Sequence, residues 1–582
     1  MRIATIVLLL LANTTAGANT FIWQDQGMIQ NDSAVSARSS GADISPLQQY
    51  RRLTLDEAAL RTNLNASTQA RSSQGMQASI QLPLPDGGFA DVVLTSSATL
   101  APVVATAHPE IQTWEVSSTN GSILGGAVSL TPLGLHAMLD MANGDTVFID
   151  PQNQQSKREY VSFSKRDNAA AFRRNWSCQT HDALNFRPDL TNATRTAARA
   201  GETLHTYDLA IATTAEFTAW KGSQANTLAS VTATVARLNV IYRRDLSIAL
   251  RLVSGTNTLF TDTTTDGYTH GNASSLIDQN TIRLDSVLGN ATYDVGHVFD
   301  KSDFGDGRAY VEAVCNNTRK GGGVSGFNTS GDAFDIDYVA HELGHQFGAT
   351  HTFNGISGSC TTNREAATAY EPGSGSTIMA YAGICGSDDL QANSDAMFHA
   401  ASIAQITTFA HSGTGASCAA ASALTNSNPV INAGADFTVT IGQAITLNGS
   451  ATDADGDTLS YSWEQMDAGS ASAPGVDTGN NALIRAHLPT NDPTRIITTS
   501  LPTTNRTLNF RLIARDQRGG VGFDDVRVTV SGTSSGGGGS SGSGDGSSGG
   551  TSGGGGGGSI PLAGLLAGGA YWLVRRRKGV KA

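Results

Sequence analysis

The sequence predicts a multidomain protein: a central region of mixed α/β fold, an N-terminal region with β structure and a C-terminal β-sandwich. Three observations lead to this prediction. A chain of 582 residues is too long for a single hydrophobic core. Apolar residues follow strand and helix periods in turn in the middle of the chain. After residue 428 only short strand periods recur, separated by turns.

The central region, residues 203–420, shows strands and helices in alternation. Its patterned segments are, in order, a buried strand (209–212), an apolar repeat at helical spacing (228–241), an alternating strand (248–252) and a second helical repeat (276–288). This β-α-β-α order is typical of a mixed sheet backed by helices.

The two flanking regions read differently. Residues 19–202 contain strand-like alternation, and a polar, alanine-rich stretch near their end carries Arg195 and Arg199, where proteases could cut. Residues 428–531 predict a small β-sandwich. Its expected strands lie at 437–440, 444–447, 459–463, 508–512 and 526–530.

Composition and the N-terminus indicate an exported protein that does not bind nucleic acid. The net charge of -12 argues against a nucleic-acid partner, which would require a basic face. Arg2, the apolar stretch 3–12 and the small residues 16–18 predict a signal peptide over residues 1–18. The alternative is a buried N-terminal helix. Export would permit disulfides between some of the five cysteines.

The sequence HELGHQFGATH, which begins at His341, contains the residue types of a catalytic zinc site. His341 and His345 are four residues apart, so on a helix both imidazoles project from one face toward one ion. Gly348 can adopt the left-handed conformation that ends a helix, and His351 then reaches the ion from another direction. Three histidines leave a fourth position open, as in catalytic zinc sites. Glu342 can take a proton from water activated by the metal.

The full pattern HExxHxxGxxH, followed by STIMAY at 376–381, resembles the metzincin zinc peptidases. Residues 203–420 resemble most closely the reprolysin-like, or adamalysin-like, branch. The resemblance implies a zinc-dependent endopeptidase and a turn beneath the zinc ligands that contains Met379, although a lone methionine is also an ordinary core residue. Tyr381 resembles a tyrosine that some metzincins place near the metal, where it can ligate zinc or donate to the oxyanion; a structural role is the alternative.

The resemblance also extends to cysteines and to one departure. The adamalysin-like pattern implies two disulfides, Cys360–Cys385 and Cys315–Cys418. That branch commonly has Asp directly after the third histidine, whereas this chain has Thr352. The partner that such an aspartate would supply is therefore not identified by the sequence.

Cys178 is the odd cysteine and precedes the central region. A thiolate can fill the open fourth position of a zinc site, as in the cysteine switch of metzincin propeptides. On this interpretation residues 19–202 are a propeptide, and cleavage near Arg195 or Arg199 releases the active enzyme. An inert free thiol is the alternative.

A glycine-rich segment, residues 321–326, precedes the expected zinc helix. In metzincins an edge strand at this place pairs with extended substrate through its free N–H and C=O groups. We expect such a strand here, with a flexible loop as the alternative. The residues Ser330, Gly331 and Asp332 are candidates to cap the zinc helix.

The C-terminal sandwich resembles PKD and related immunoglobulin-like modules. The sequences NAG at 432–434, DADGD at 453–457 and YSW at 461–463 carry this resemblance. Asp453, Asp455 and Asp457 offer oxygen ligands for calcium. A solvated Asp/Gly turn is the favoured interpretation, because a complete calcium loop is absent from the sequence.

The C-terminus predicts a sorting tail. Residues 532–558 are almost entirely Gly and Ser, which is typical of a flexible tether. Within 559–582, an apolar run at 560–574 precedes the basic sequence RRRK. The whole resembles the GlyGly-CTERM tail of Gram-negative bacteria, which implies a transient inner-membrane anchor, removal by a rhomboid-type protease and a mature enzyme at the cell surface or in the medium. A permanent anchor is the alternative.

Two functions from different classes follow from these observations. The first is a latent, secreted zinc endopeptidase acting on proteins or peptides. The second is a surface adhesion protein that uses the β-sandwich, with the peptidase fold as a scaffold. The presence of Glu342 favours the first, because a scaffold needs no general base.

Overall fold

A computed structural model describes part of the chain. The described residues are 22–30, 47–67, 71–72, 75–118, 120–153, 156–168, 177–178, 180, 200–302, 305–329 and 331–532. The expected signal peptide, Arg195, Arg199 and the tail from residue 533 onward lie outside them. Among the described residues, no helix combines the length and hydropathy that a membrane span requires.

The N-terminal region forms an antiparallel sheet of ten strands in the order β1-β2-β10-β9-β8-β7-β6-β5-β4-β3. The strands are β1 Trp23–Gln30, β2 Gln49–Leu55, β3 Arg71–Ser72, β4 Gly75–Pro83, β5 Phe89–Ser96, β6 Gln112–Ser118, β7 Ile123–Thr131, β8 Gly134–Met141, β9 Thr146–Pro151 and β10 Glu159–Ser164. Two helices accompany the strands, α1 Glu57–Ser67 and α2 Pro102–Ala107. The strand-rich N-terminal region is thus confirmed.

This sheet has two apolar faces, because successive side chains of a strand point to opposite sides. Leu139 and Ile149 belong to a core within the N-terminal region. Their neighbours Met138 and Phe148 face the other way and join the core of the central region. The sheet therefore packs as a layer against the central region.

The central region contains a mixed sheet in the order β11-β15-β16-β14-β12-β13, with β17 pairing to β12. The strands are β11 Ser177–Cys178, β12 Thr203–Thr213, β13 Ile248–Leu252, β14 Val295–Lys301, β15 Asp306–Ala309, β16 Gly323–Phe327 and β17 Ala420–Ala423. Only β15 with β16 and β12 with β17 pair antiparallel among the described strands of this sheet. The mixed sheet predicted for this region is confirmed.

Helices accompany this sheet, and the two longest follow apolar repeats at helical spacing. The helices are α3 Ala215–Lys221, α4 Gln224–Leu246, α5 Ala273–Leu288, α6 Ala340–Gln346, α7 Cys360–Asn363 and α8 Ala400–Thr407. The Ser223 hydroxyl caps α4, and the Asn272 side chain caps α5. A π-helical segment, Ala333–Val339, runs directly into α6.

The C-terminal region is rich in short strands around a core that contains Trp463. The strands are β18 Val430–Asn432, β19 Phe437–Val439, β20 Ile445–Asn448, β21 Ser450–Thr452, β22 Ser460–Gln465, β23 Thr494–Ile497, β24 Arg506–Arg515 and β25 Val521–Val530. Four form a sheet ordered β19-β25-β24-β22, and the others pair as β18-β21 and β20-β23. The strand-rich C-terminal region is confirmed.

The expected helix cap before the zinc helix is not formed by Asp332. This residue has helical backbone angles (φ -47°, ψ -56°), and its side chain makes no capping hydrogen bond. Its carboxylate instead accepts from the ammonium of Lys165, at 2.5 Å, and from Asn168, both in the N-terminal region. Ser330 lies outside the described residues. A buried ion pair with the N-terminal layer thus replaces the local cap.

Candidate active site

Three histidines converge in the core of the central region. His341 and His345 lie one turn apart on α6, and Gly348 (φ 94°) then turns the chain so that His351 faces them. The Nε2 atom of His345 is 3.1 Å from Nε2 of His341 and 3.1 Å from Nε2 of His351. All three side chains are buried. The left-handed glycine therefore has the conformation that the sequence led us to expect.

Each histidine donates a hydrogen bond from Nδ1, the ring nitrogen that does not face the other histidines, to a backbone carbonyl. Nδ1 of His341 lies 2.7 Å from O of Ile378, Nδ1 of His345 2.8 Å from O of Ala349, and Nδ1 of His351 2.8 Å from O of Asn363. This leaves Nε2 of each ring without a proton and able to ligate a metal, with the second ring nitrogen held by a backbone partner, as is usual for metal-ligating histidines. Burial lowers the pKa of His341 to about 4 and the pKa of His345 well below its usual value, which favours the neutral, ligating form.

Cys178 brings a fourth possible metal ligand to the three histidines. Its Sγ is 3.6 Å from Nε2 of His345, and the ligand atoms of Cys178, His341, His345 and His351 all lie within 4.8 Å of one another. Zinc bonds of 2.0–2.1 Å to nitrogen and 2.3 Å to sulfur would separate nitrogens by roughly 3.3 Å and sulfur from nitrogen by roughly 3.6 Å. The donor set fits zinc in both chemistry and spacing.

The cysteine reaches the site on a strand. Strand β11 pairs in parallel with β15, Ser177 opposite Asp306 and Cys178 opposite Gly307. Burial and the nearby Glu342 raise the pKa of the Cys178 thiol well above its usual value. A bound cation would act in the opposite direction and favour the thiolate.

Sequence reasoning missed Thr180, which contacts the expected general base. The Thr180 hydroxyl lies 3.3 Å from Oε2 of Glu342 and accepts from the backbone N–H of Ala309 at 2.9 Å. Its own backbone N–H points to Sγ of Cys178 at 3.4 Å. A signal was available, because side chains two residues apart in an extended chain lie on one face.

Glu342 lies on α6 against the edge of the sheet. It is fully buried, and Gly307 on β15 provides the room for its carboxylate. A Cβ atom at Gly307 would lie 2.1 Å from Oε1 of Glu342. Strand β15 thus packs directly on the residue that the sequence identifies as the base.

The segment around Met379 lies beneath the histidines. The Met379 side chain packs so closely on α6 that a Cβ at Gly344 would lie 2.5 Å from its sulfur. The preceding residue, Ile378, supplies the carbonyl that orients His341. The Met379 side chain thus packs against the helix that carries His341 and His345.

Tyr381 lies beside the histidines and contacts the N-terminal region. Its ring centroid is 4.7 Å from that of His351, and it stacks on Phe353 at 4.3 Å. Its hydroxyl donates to the backbone carbonyl of Cys178 at 3.2 Å. The Tyr381 hydroxyl is thus bonded to the backbone of the residue that brings the fourth possible ligand to the site.

Glu371 is the carboxylate that contacts Thr352, the residue after the third histidine. The hydroxyl of Thr352 donates to Oε1 of Glu371 at 2.6 Å. Oε2 of Glu371 accepts from the backbone N–H groups of Ser376 and Thr377 at 2.7 and 3.1 Å. The residue after the third histidine is thereby joined to the turn that contains Met379.

The glycine-rich segment is a strand, but it is not at the edge of the sheet. Strand β16, Gly323–Phe327, is buried and lies between β14 and β15. Strand β15 lies outside β16, and its outer side, which would otherwise be the edge of the central sheet, pairs with β11. The expectation was therefore wrong about which strand is free to pair, because a short antiparallel strand, β15, lies outside β16.

The remaining cysteines form the two pairs expected from the resemblance. Cys315 is joined to Cys418 and Cys360 to Cys385, with Cα atoms 5.4 and 5.2 Å apart. Cys178 is free and buried.

The acidic turn of the C-terminal region does not gather the three expected residues. Asp453 and Asp457 lie near Asp516, whereas Asp455 accepts from the backbone N–H of Ser427 at 2.6 Å. Asp453 accepts from two backbone N–H groups of its own turn. This is the behaviour of an Asp/Gly turn, and it gives no support to calcium binding.

Comparison with models of known protein families supports the assignment of a zinc metallopeptidase domain to this chain. Residues 203–410 match the model of the metallo-peptidase family M12B, reprolysin-like, and residues 433–530 match a model of the PKD domain. The chain thus contains a reprolysin-like M12B metallopeptidase domain and a PKD domain, and peptidases of this family use zinc.

The comparisons with curated proteins and with solved structures give no information on fold or function. A search of curated proteins found no match. Among solved structures, the chain is similar to a nucleoside hydrolase-related hypothetical protein from Saccharophagus degradans that is associated with carbohydrate metabolism, at 20% identity and a TM-score of 0.13. That similarity covers 22% of this chain and 29% of the other, and it carries no conclusion about fold or function.

Proposed function

We propose that this protein is a zinc-dependent endopeptidase that is made as a latent precursor. The observation that carries the proposal is the convergence of three buried histidine Nε2 atoms, 3.1 Å from one to the next, beside the carboxylate of Glu342. The reprolysin-like match over residues 203–410 supports a protein or peptide substrate.

Each residue of the site has a distinct role in peptide-bond hydrolysis. Zinc, held by His341, His345 and His351, would supply Lewis-acid polarisation and activate water. Glu342 takes the proton of the attacking water and passes it to the leaving amine, so no covalent intermediate with the protein is needed. Tyr381 donates its hydroxyl to the developing oxyanion once the Cys178 carbonyl has left.

We infer latency from the contacts that the N-terminal region makes with the metal ligands, with Glu342 and with the sheet. Cys178 fills the fourth donor position, Thr180 contacts Glu342, and β11 occupies the edge strand β15. An extended substrate needs the same edge and the same metal position. Residues 19–202 are then the propeptide, and cleavage near Arg195 or Arg199 removes the block.

The test is a metal and cleavage assay on the full chain and on Cys178→Ala. We expect one zinc per chain in both, and cleavage of casein by the variant that stops on chelation and returns with added zinc. A protein that binds zinc but cleaves nothing in either form would support the adhesion alternative and contradict the proposal.

We also propose export and removal of the C-terminal segment. The support is the signal-like residues 1–18, the Gly/Ser tether and the apolar and basic tail. Intact-mass analysis of the protein released by a Gram-negative host is the test. A mature form that ends near residue 560 is expected, and one that retains Arg575 would favour the permanent anchor.

A further inference from the structure

The PKD domain contacts the segment that follows the third histidine. The side-chain amide of Asn354 donates to O of Ser470 at 3.0 Å and to Oγ of Ser472 at 3.2 Å. The backbone N–H of Ser472 donates in return to O of Asn354 at 3.2 Å. Asn354 is fully buried, so these bonds are made away from water.

Arg364 extends this contact toward the zinc ligands. Its Nε donates to Oδ1 of Asn354 at 2.9 Å, and its Nη2 donates to O of Gly469 at 2.5 Å. The residue before it, Asn363, supplies the carbonyl that accepts from Nδ1 of His351 at 2.8 Å. The carbonyl that orients a zinc ligand therefore belongs to the peptide bond that joins Asn363 to Arg364, the arginine held by the PKD domain.

The PKD loop at 469–472 is held in one conformation by buried contacts within its own domain. Asn481 is fully buried and donates to Oγ of Ser472 and to O of Val476, both at 2.7 Å. Arg506 pairs with Asp477 at 2.7 Å, and both side chains are 1% exposed. A loop fixed from inside its own domain can hold a neighbouring segment in one position.

The PKD domain is also anchored to the peptidase domain at a second place. Arg515 on β24 pairs at 2.7 Å with Asp245 at the end of α4, and neither side chain is exposed. The carboxylate of Glu464 accepts from the backbone N–H of Ala400 at the start of α8. These buried contacts join strands β22 and β24 of the PKD domain to the peptidase domain.

We propose that the PKD domain is a working part of the peptidase, and that Arg364 is a positioning residue through which it holds the Asn363 carbonyl on His351. This inference rests on the proposed zinc peptidase function. The carbonyl fixes the ring orientation and the tautomer of His351, and loss of such partners weakens metal binding about tenfold or more. The sandwich thus acts on the metal site without touching it.

The experiment compares zinc release from the full chain in four forms: wild type, Arg364→Gln, Arg364→Lys and Arg527→Gln. Arg527 is an exposed residue of the PKD domain, 62% accessible, and serves as the matched control. Zinc transfer to a chromogenic chelator is timed, and thermal unfolding midpoints identify forms that do not fold. The Cys178→Ala background is used to measure kcat and KM on a quenched peptide.

Arg364→Gln should release zinc about tenfold faster than wild type and lose kcat with little change in KM. Arg364→Lys retains a single donor for the Gly469 carbonyl and should release zinc at a rate between wild type and Arg364→Gln. If Arg364→Gln does not fold, release from Arg364→Lys at the wild-type rate overturns the inference. Arg527→Gln should match wild type. Wild-type zinc binding with unchanged release from both Arg364 variants would overturn this inference alone, whereas a wild type that takes up no zinc would overturn the proposed function.

Discussion

At the scale of single residues, the zinc site depends on partners that lie far from the histidine motif. The motif itself is local, so His341, Glu342, His345 and His351 could be assigned from spacing. Glu371 is the contrasting case. It lies beyond a loop whose path no periodicity reveals, yet its carboxylate joins Thr352 to the turn under the metal.

Glu371→Gln should destabilise the protein by about 2–3 kcal/mol, because an amide nitrogen cannot accept the buried N–H and O–H groups that the carboxylate accepts. Denaturant unfolding measures the loss. Glu159→Gln on the exposed end of β10 is the control and should change the free energy of unfolding little. Equal stability of the two variants would contradict the structural role of Glu371.

Thr180→Val tests whether the precursor is held at the base as well as at the metal. Loss of the hydroxyl removes the contact with Glu342 and leaves an unmet N–H at Ala309. We expect residual peptidase activity of the precursor to rise severalfold, yet to stay below that of Cys178→Ala. Thr180→Ser keeps the hydroxyl and should stay as latent as wild type. If the residual peptidase activity of the Thr180→Val precursor equals that of wild type, the inhibition depends on Cys178 and not on Thr180.

At the scale of elements, the order of strands and helices was predictable and the edge of the sheet was not. Helices α4 and α5 follow apolar repeats that are visible in the sequence, and they end at Ser247 and Gly289 with positive φ. Strand β15 has only four residues, two of them glycine or alanine, which is too short a pattern to predict a strand from the sequence. Its place in the sheet is set by pairing with β16, the next strand along the chain, and with β11, which lies far upstream in the sequence.

The two disulfides should differ in how much they stabilise. Their half-cystines are 103 and 25 residues apart, and the chain-entropy model gives about 4.7 kcal/mol for a loop of 100 residues against about 3 kcal/mol for one of 15. Replacing Cys315 and Cys418 by Ser should therefore cost about 1 kcal/mol more than replacing Cys360 and Cys385. Non-reducing peptide mapping checks the connectivity, and a Cys315–Cys360 peptide would refute it.

At the scale of the whole molecule, buried charges join regions that the sequence shows only as separate patterns. Arg244 on α4 pairs with Asp140 of the N-terminal sheet and with Asp245, which in turn pairs with Arg515 of the PKD domain. Composition and periodicity identify the regions because each has its own core. They cannot identify contacts between regions, since single charged residues carry no pattern.

Lys165→Met should show how strongly the N-terminal region is held. Lys165 is buried and pairs with Asp332 and Asp337 ahead of α6. Removing one partner of a buried ion pair costs about 3–5 kcal/mol, because the remaining carboxylates stay buried. Denaturant unfolding of the precursor measures this loss, with the exposed Lys157→Met as the control. A loss equal to that of the control would contradict a buried anchor at this place.

The central claim is that the three histidines hold zinc and that Glu342 moves the proton. Zinc content and cleavage rate, measured together on Glu342→Gln and His345→Ala in the Cys178→Ala chain, test it most directly. Glu342→Gln should keep about one zinc per chain and lose turnover by a factor of about 10² or more, whereas His345→Ala should lose both. Cleavage by Glu342→Gln at the rate of its parent would contradict the mechanism.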